Sequence, residues 1–134
     1  MKNIAIIIGA GVLAACASSH GWDDMTAEEE SRWKSINVSE SQAQEYQDNG
    51  LTATDIVSWR QQGFVEPDDI LTWSKSRFNA IEAAIWRNQG FDLESALAWS
   101  EENFTAEQAQ NWKQKGFSLD DAMEERAKGL TPKT

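Results

Sequence analysis

Apolar residues return along this chain at a fixed interval of thirteen, and that recurrence predicts its architecture. Units open at Met25, Val38, Leu51, Phe64, Phe78, Phe91, Phe104 and Phe117, the fourth unit being one residue longer, so the array runs over residues 25–129. At the ninth position stand Trp33, Tyr46, Trp59, Trp73, Trp86, Trp99 and Trp112, with Glu125 closing the series. Three residues before the ninth position, in every unit after the first, comes a small or aliphatic residue: Ala43, Ile56, Ile70, Ala83, Ala96, Ala109 or Ala122. A spacing of three puts both positions on one face of a helix.

Polar residues punctuate the same frame. The second position offers an N-cap (Thr26, Ser39, Thr52, Asn79, Asp92, Thr105, Ser118), and three residues later come Glu29, Gln42, Asp55, Glu82, Ser95, Gln108 and Asp121, which match or approach capping boxes. The thirteenth position is Gly50, Gly63, Gly90, Gly116 or Gly129, or else Asn37 or Asn103, the residue types that accept the left-handed conformation ending a helix. The spacing predicts a helix of about ten residues per unit. In the fourth unit Glu66 is expected to cap and Pro67 to take the first helical position.

So short a helix is not stable alone in water, and a cap contributes only about 1 kcal/mol. The helices must stabilise one another. The small sixth position permits close approach, and each Trp is expected to pack over the turn against the Phe that opens the next unit. The fold expected is all-α, a solenoid-like array of eight short helices in 13-residue repeats with contacts between nearest neighbours only. Charge replaces packing at Glu30 in the first unit and Glu125 in the last, as expected of the ends of a closed monomeric array.

The formal charge is −10, from 12 basic and 22 acidic residues. No basic face is available to follow a phosphate backbone, which argues against nucleic acid as a partner. Acidic residues gather at predicted helix starts and basic ones near their ends, as the helix dipole favours. The second and sixth units depart from this rule, with Asp48 and with Glu101 and Glu102 near their helix ends. One Cys and one His leave no thiol pair and no Cys/His metal cluster, and nucleophile and phosphate-loop motifs are absent from the sequence. The carboxylate pairs Asp68 with Asp69 and Asp120 with Asp121 sit where caps belong. No enzyme activity, cofactor or metal is expected.

Ahead of the repeats, Lys2 precedes an unbroken apolar run from Ile4 to Ala15, twelve residues where a bilayer span needs about 20. The run ends in Leu13-Ala14-Ala15-Cys16, which resembles the lipobox of bacterial lipoproteins. The resemblance implies that residues 1–15 are a cleaved signal peptide and that Cys16 is lipidated and becomes the first mature residue. Residues 16–24 would then be a short tether holding His20 and Trp22, and residues 130–134 a C-terminal tail. Loss of Lys2 would take the charge to −11. Ala17, and not Asp, follows the Cys, which by analogy with Gram-negative lipoproteins implies the periplasmic side of the outer membrane more than the inner membrane.

Gly116-Phe117-Ser118 and Gly90-Phe91-Asp92 are similar to the Gly-Phe loop of ubiquitin-associated domains. Those domains hold three dissimilar helices, however, and this chain repeats one. Two readings of the Trp row stand: core packing between units, or a stripe of exposed rings that grips sugars or a partner. The function expected is a non-enzymatic interaction or assembly adaptor, anchored by lipid, that offers an acidic surface to another envelope protein with a basic surface. Trp22, Tyr46, Asp48, Glu101 and Glu102 are the candidate contacts. The alternative is a peptidoglycan-binding module that uses exposed aromatics.

Overall fold

The computed structural model describes residues 22–132; the predicted leader, Cys16 and His20 lie outside the described residues. A 3-10 turn at Trp22–Asp24 precedes eight α-helices, and the described residues contain no strand. The helices are α1 (Ala27–Ser35), α2 (Glu40–Asp48), α3 (Ala53–Gln61), α4 (Pro67–Ser74), α5 (Ala80–Asn88), α6 (Leu93–Glu101), α7 (Ala106–Gln114) and α8 (Leu119–Ala127). Each falls in its own repeat unit. They are nine residues long, and eight in α4, instead of the expected ten. The twelfth position accounts for the difference, because it leaves the helix as the C-cap before the left-handed thirteenth.

The caps form as the pattern requires. In the seven units other than the fourth, the second-position side chain accepts a hydrogen bond from the backbone three residues on. In five of these the bond is returned, completing a capping box, as between Thr26 and Glu29. Glu66 does occupy the N-cap of α4 with Pro67 behind it, but its side chain makes no capping bond, contrary to expectation. Proline at the first helical position supplies a pre-set φ and lacks one of the N–H groups that a helix start otherwise leaves unpaired, so α4 starts without a side-chain cap.

At the other end, Asn37 and Asn103 and the five predicted glycines all have positive φ. The stop is a Schellman turn: Gly63 N–H donates to the Arg60 carbonyl at 2.9 Å and Phe64 N–H to the Trp59 carbonyl at 3.1 Å. This motif brings the residue after the stop against the one five earlier. The repeat therefore sets an aromatic at both places. Ring centroids lie 5.0 Å apart for Trp59 and Phe64, Trp86 and Phe91, and Trp112 and Phe117, 5.1 Å for Trp99 and Phe104, and 5.9 Å for Trp73 and Phe78. Each Phe also meets the next Trp in Phe64–Trp73, Phe78–Trp86 and Phe91–Trp99, so an unbroken ladder of rings runs from Trp59 to Phe104.

The fourth unit reaches the same pairing without glycine. Ser76 donates its hydroxyl to the Trp73 carbonyl and accepts from Phe78 N–H at 3.2 Å, so one side chain relays the bond that the backbone makes elsewhere. This explains how a longer unit stays in frame.

Position six is fully buried in every unit that carries an apolar residue there, from Ala43 to Ala122. The six repeat Trp and Tyr46 are also buried, none more than 6% exposed. Burying a large apolar side chain contributes about 1.5–3 kcal/mol against about 1 kcal/mol for a cap. The ladder thus stabilises the array, and the caps fix where each helix begins.

Contacts are not limited to neighbouring units, contrary to expectation. α1 packs on α3 and α3 on α5, alongside the sequential pairs α4 with α5, α5 with α6, α6 with α7 and α7 with α8. Polar struts reinforce this second-neighbour layer: Arg60 donates to the Ile36 carbonyl at 2.5 Å, Arg87 to Gln62 at 3.1 Å and Arg126 to Glu102 at 2.6 Å. Each joins the tenth position of one unit to the helix end two units earlier. The C-terminal ends of α1 and α3, of α3 and α5, and of α6 and α8 are thereby joined.

Candidate interaction surface

The tenth-position cations do more than answer the helix dipole. The guanidinium carbon of Arg87 lies 3.6 Å from the Phe64 ring centroid, that of Arg126 lies 4.1 Å from Phe104, and Lys113 Nζ lies 4.6 Å from Phe91. A cation over a ring face is attracted by the ring's negative quadrupole. Arg60 and Arg87 are half-buried in these contacts, while Lys113 and Arg126 cover their rings from the exposed side. At this position Ser74 and Ser100 bond instead to the carbonyls of Leu71 and Leu97 in their own helices.

No carboxylate among the described residues is fully buried. Every one of the eight α-helices has an acidic residue in its first turn. The backbone N–H of Thr26 holds the Glu29 carboxyl below its ordinary value, and that of Ser95 does the same for Asp92. Ion pairs gather at the two ends of the array, Arg32 with Glu28 at 2.5 Å and Lys34 with Glu30 on α1, Lys128 with Glu125 at 2.9 Å and Glu124 at 3.3 Å after α8. Its two carboxylate partners raise the Lys128 pKa, with the Glu125 bond first. Glu30 and Glu125, the expected end positions, are both half-buried and paired in this way.

The candidate contact residues fall in different settings. Asp48 is exposed and accepts from Gln44 Nε2 at 2.8 Å. Glu101 is exposed, and Glu102 is half-buried with its carbonyl held by Arg126. Tyr46 is 1% exposed and stacked on Trp33 at 5.8 Å, and burial pushes its phenol pKa up. A partner at the second unit would therefore meet Asp48 and not the Tyr46 ring. Trp22, which lies outside the period, nevertheless has a packing reason to be half-buried: it rests on the core, and Lys34 Nζ lies 5.3 Å from its ring centroid. It takes the place that Phe64 has for Arg87.

Of the two readings of the Trp row, core packing is the one realised. Asp121 is committed to the Ser118 capping box, and Asp68 and Asp69 occupy the first turn of α4. Among the described residues no three His, Cys, Asp or Glu side chains converge as metal ligands, and no helix is long and apolar enough to cross a membrane.

The grooves on the surface follow a period of two units. Three recur where one odd-numbered helix meets the opening of the next, between α1 and α3, α3 and α5, and α5 and α7, with volumes near 300, 390 and 390 Å³. Each has a fifth-position carboxylate on its wall: Glu29, Asp55 and Glu82 in turn. Sequence reasoning did not find the second-neighbour struts or these grooves. A signal was present, since a cation fills position ten in the first, third, fifth, seventh and eighth units and is missing from the second, fourth and sixth.

No protein-family model, curated protein or solved structure matches this chain.

Proposed function

We propose that the protein is a lipid-anchored bacterial envelope adaptor that binds another protein, one with a basic surface, through the acidic outer face of its helical array. The observation that carries the reading is the placement of charge: every helix carries an acidic residue in its first turn and none of these is buried, while three of the fewer cations are held over the rings of Phe64, Phe91 and Phe104. A chain of net charge −10 arranged in this way attracts a basic partner and repels an acidic one. The lipobox at Cys16 supplies the anchor, and the short tether keeps the array near the periplasmic surface of the outer membrane.

The test is co-purification of the acylated protein from gently solubilised envelopes at low and at high salt. A stoichiometric protein partner that dissociates at high salt is the expected result. Binding that is indifferent to salt, or recovery with glycan and no protein, would overturn the adaptor. Cys16→Ser should move the protein out of the membrane fraction; retention in washed membranes would overturn the anchor.

A further inference from the structure

Among the described residues, two of the four most exposed large apolar side chains are Ile81 and Ile85, 60% and 52% exposed and one turn apart on α5. The repeat frame makes them anomalous. At the same two positions α1 carries Glu28 and Arg32, α3 carries Thr54 and Ser58, and α7 carries Glu107 and Asn111. Nothing in the ladder uses these isoleucines, since α5 buries Ala80, Ala83, Ala84 and Trp86 on its other side.

Ile81 stands on the wall of the groove between α3 and α5, with Leu51, Trp59 and Phe78, and Ile85 on the wall of the next groove. The α3–α5 groove differs from its two counterparts in charge. Arg32 accompanies Glu29 in one and Arg77 accompanies Glu82 in the other, whereas Asp55 is the sole charged residue on the wall of this one. Glu82 stands with Ile85 on the wall of the next groove, and each carboxylate accepts a capping bond, Asp55 from Thr52 N–H at 2.8 Å and Glu82 from Asn79 N–H at 3.0 Å, which holds it in place without neutralising its charge. The patch is thus apolar at its centre and negative at its edge.

We infer that the α5 face with the α3–α5 groove is the docking site, and that its occupant is a basic amphipathic helix of the partner protein. An apolar stripe at i, i+3, i+4 spacing would cover Ile81 and Ile85, and Lys or Arg beside the stripe would meet Asp55 and Glu82. A second copy of this chain fits less well, because two molecules of charge −10 repel. The inference rests on the adaptor reading and adds the chemistry of its partner.

The probe is a fluorescent peptide of about five helical turns, built from Leu on one face and Lys on the other, titrated with the full chain. A matched peptide with Glu for Lys is the control. The Leu/Lys peptide should bind and the Leu/Glu peptide should not. Ile81→Ser with Ile85→Ser should weaken binding about tenfold or more, with an unchanged melting curve because both side chains are exposed. Val65→Ser, which removes an exposed apolar residue elsewhere, should leave binding as it was.

Equal binding by the isoleucine variant would overturn the docking site while leaving a charge-driven adaptor standing. Absence of Leu/Lys binding would overturn the docking site, and envelope co-purification would then judge the adaptor separately. Self-association of the free chain that disappears in the isoleucine variant would make the occupant a second copy and overturn the inference.

Discussion

The guanidinium carbon of Arg87 lies over the ring of Phe64, 3.6 Å from its centroid, while Nη2 donates to the Gln62 carbonyl, so one side chain clamps three consecutive units. The clamp is tight: a Cβ at Gly63, where φ is +90°, would come within 3.0 Å of that nitrogen. Glycine is needed here for its conformation, and an added Cβ would press on the guanidinium as well. Arg87→Met should cost about 1–2 kcal/mol in urea denaturation, from the lost cation–π contact and an unanswered helix-end carbonyl. Arg87→Lys should recover only part, because an ammonium cannot stack and bridge in the same geometry. Full recovery by Lys would show that charge alone matters there.

The relay through Ser76 predicts a local effect at the one irregular unit. Ser76→Ala leaves Phe78 N–H without the partner it has at 3.2 Å and should cost about 1 kcal/mol. Ser74→Ala loses only a bond to Leu71 in its own helix and should cost less than about 0.5 kcal/mol. Equal losses would mean that the relay does not hold the splice.

Ala96 and Glu30 occupy equivalent positions, one fully buried and one at the open end beside Lys34. Ala96→Glu should destabilise folding by a few kcal/mol, on the order of 3, through an uncompensated buried charge. Glu30→Ala should change stability by about 0.5 kcal/mol or less. Equal small effects in thermal melts would contradict the stacking face.

Capping carboxylates set the acid limit. Glu29 and Asp92 have folded pKa values below their ordinary 4.5 and 3.8, so the unfolded chain binds their protons more readily. Their stabilisation is complete above the unfolded values and is lost as pH falls through the lower folded ones. Melting temperature should therefore drop with acidification from about pH 4.5 downward. Asp92→Asn keeps a capping side chain and removes one titrating group, so it should melt near wild type at pH 7 and fall less steeply in acid. An unchanged slope would show that the Ser95 bond does not perturb Asp92.

The thirteen-residue frame was legible because each local device leaves a residue type behind. Thr26 or Ser118 announces a cap, Gly90 or Asn103 a stop, and Trp86 with Phe91 the two ends of a Schellman contact. The second-neighbour layer was not, because a cation at the tenth position is equally well explained by the helix dipole. Only distance separates the two accounts, and Arg60 at 2.5 Å from a carbonyl in the first unit decides it. Trp22 escaped for a related reason, since it matches no repeat position yet packs under Lys34 as a terminal rung. Ile81 and Ile85 occupy positions that are polar in the other odd-numbered units, so the repeat frame carried the signal of an exposed apolar pair.

The most direct test of the acidic adaptor is photo-crosslinking in living cells of the source organism. A photoreactive residue at Ile81, Asp48 or Glu101, which are all exposed, reports what touches the outer face, and one at Val65 serves as the control. The account predicts one discrete protein adduct, strongest from Ile81 and absent from Val65. Adducts of equal strength from all positions, or none to protein at any of them, would contradict it.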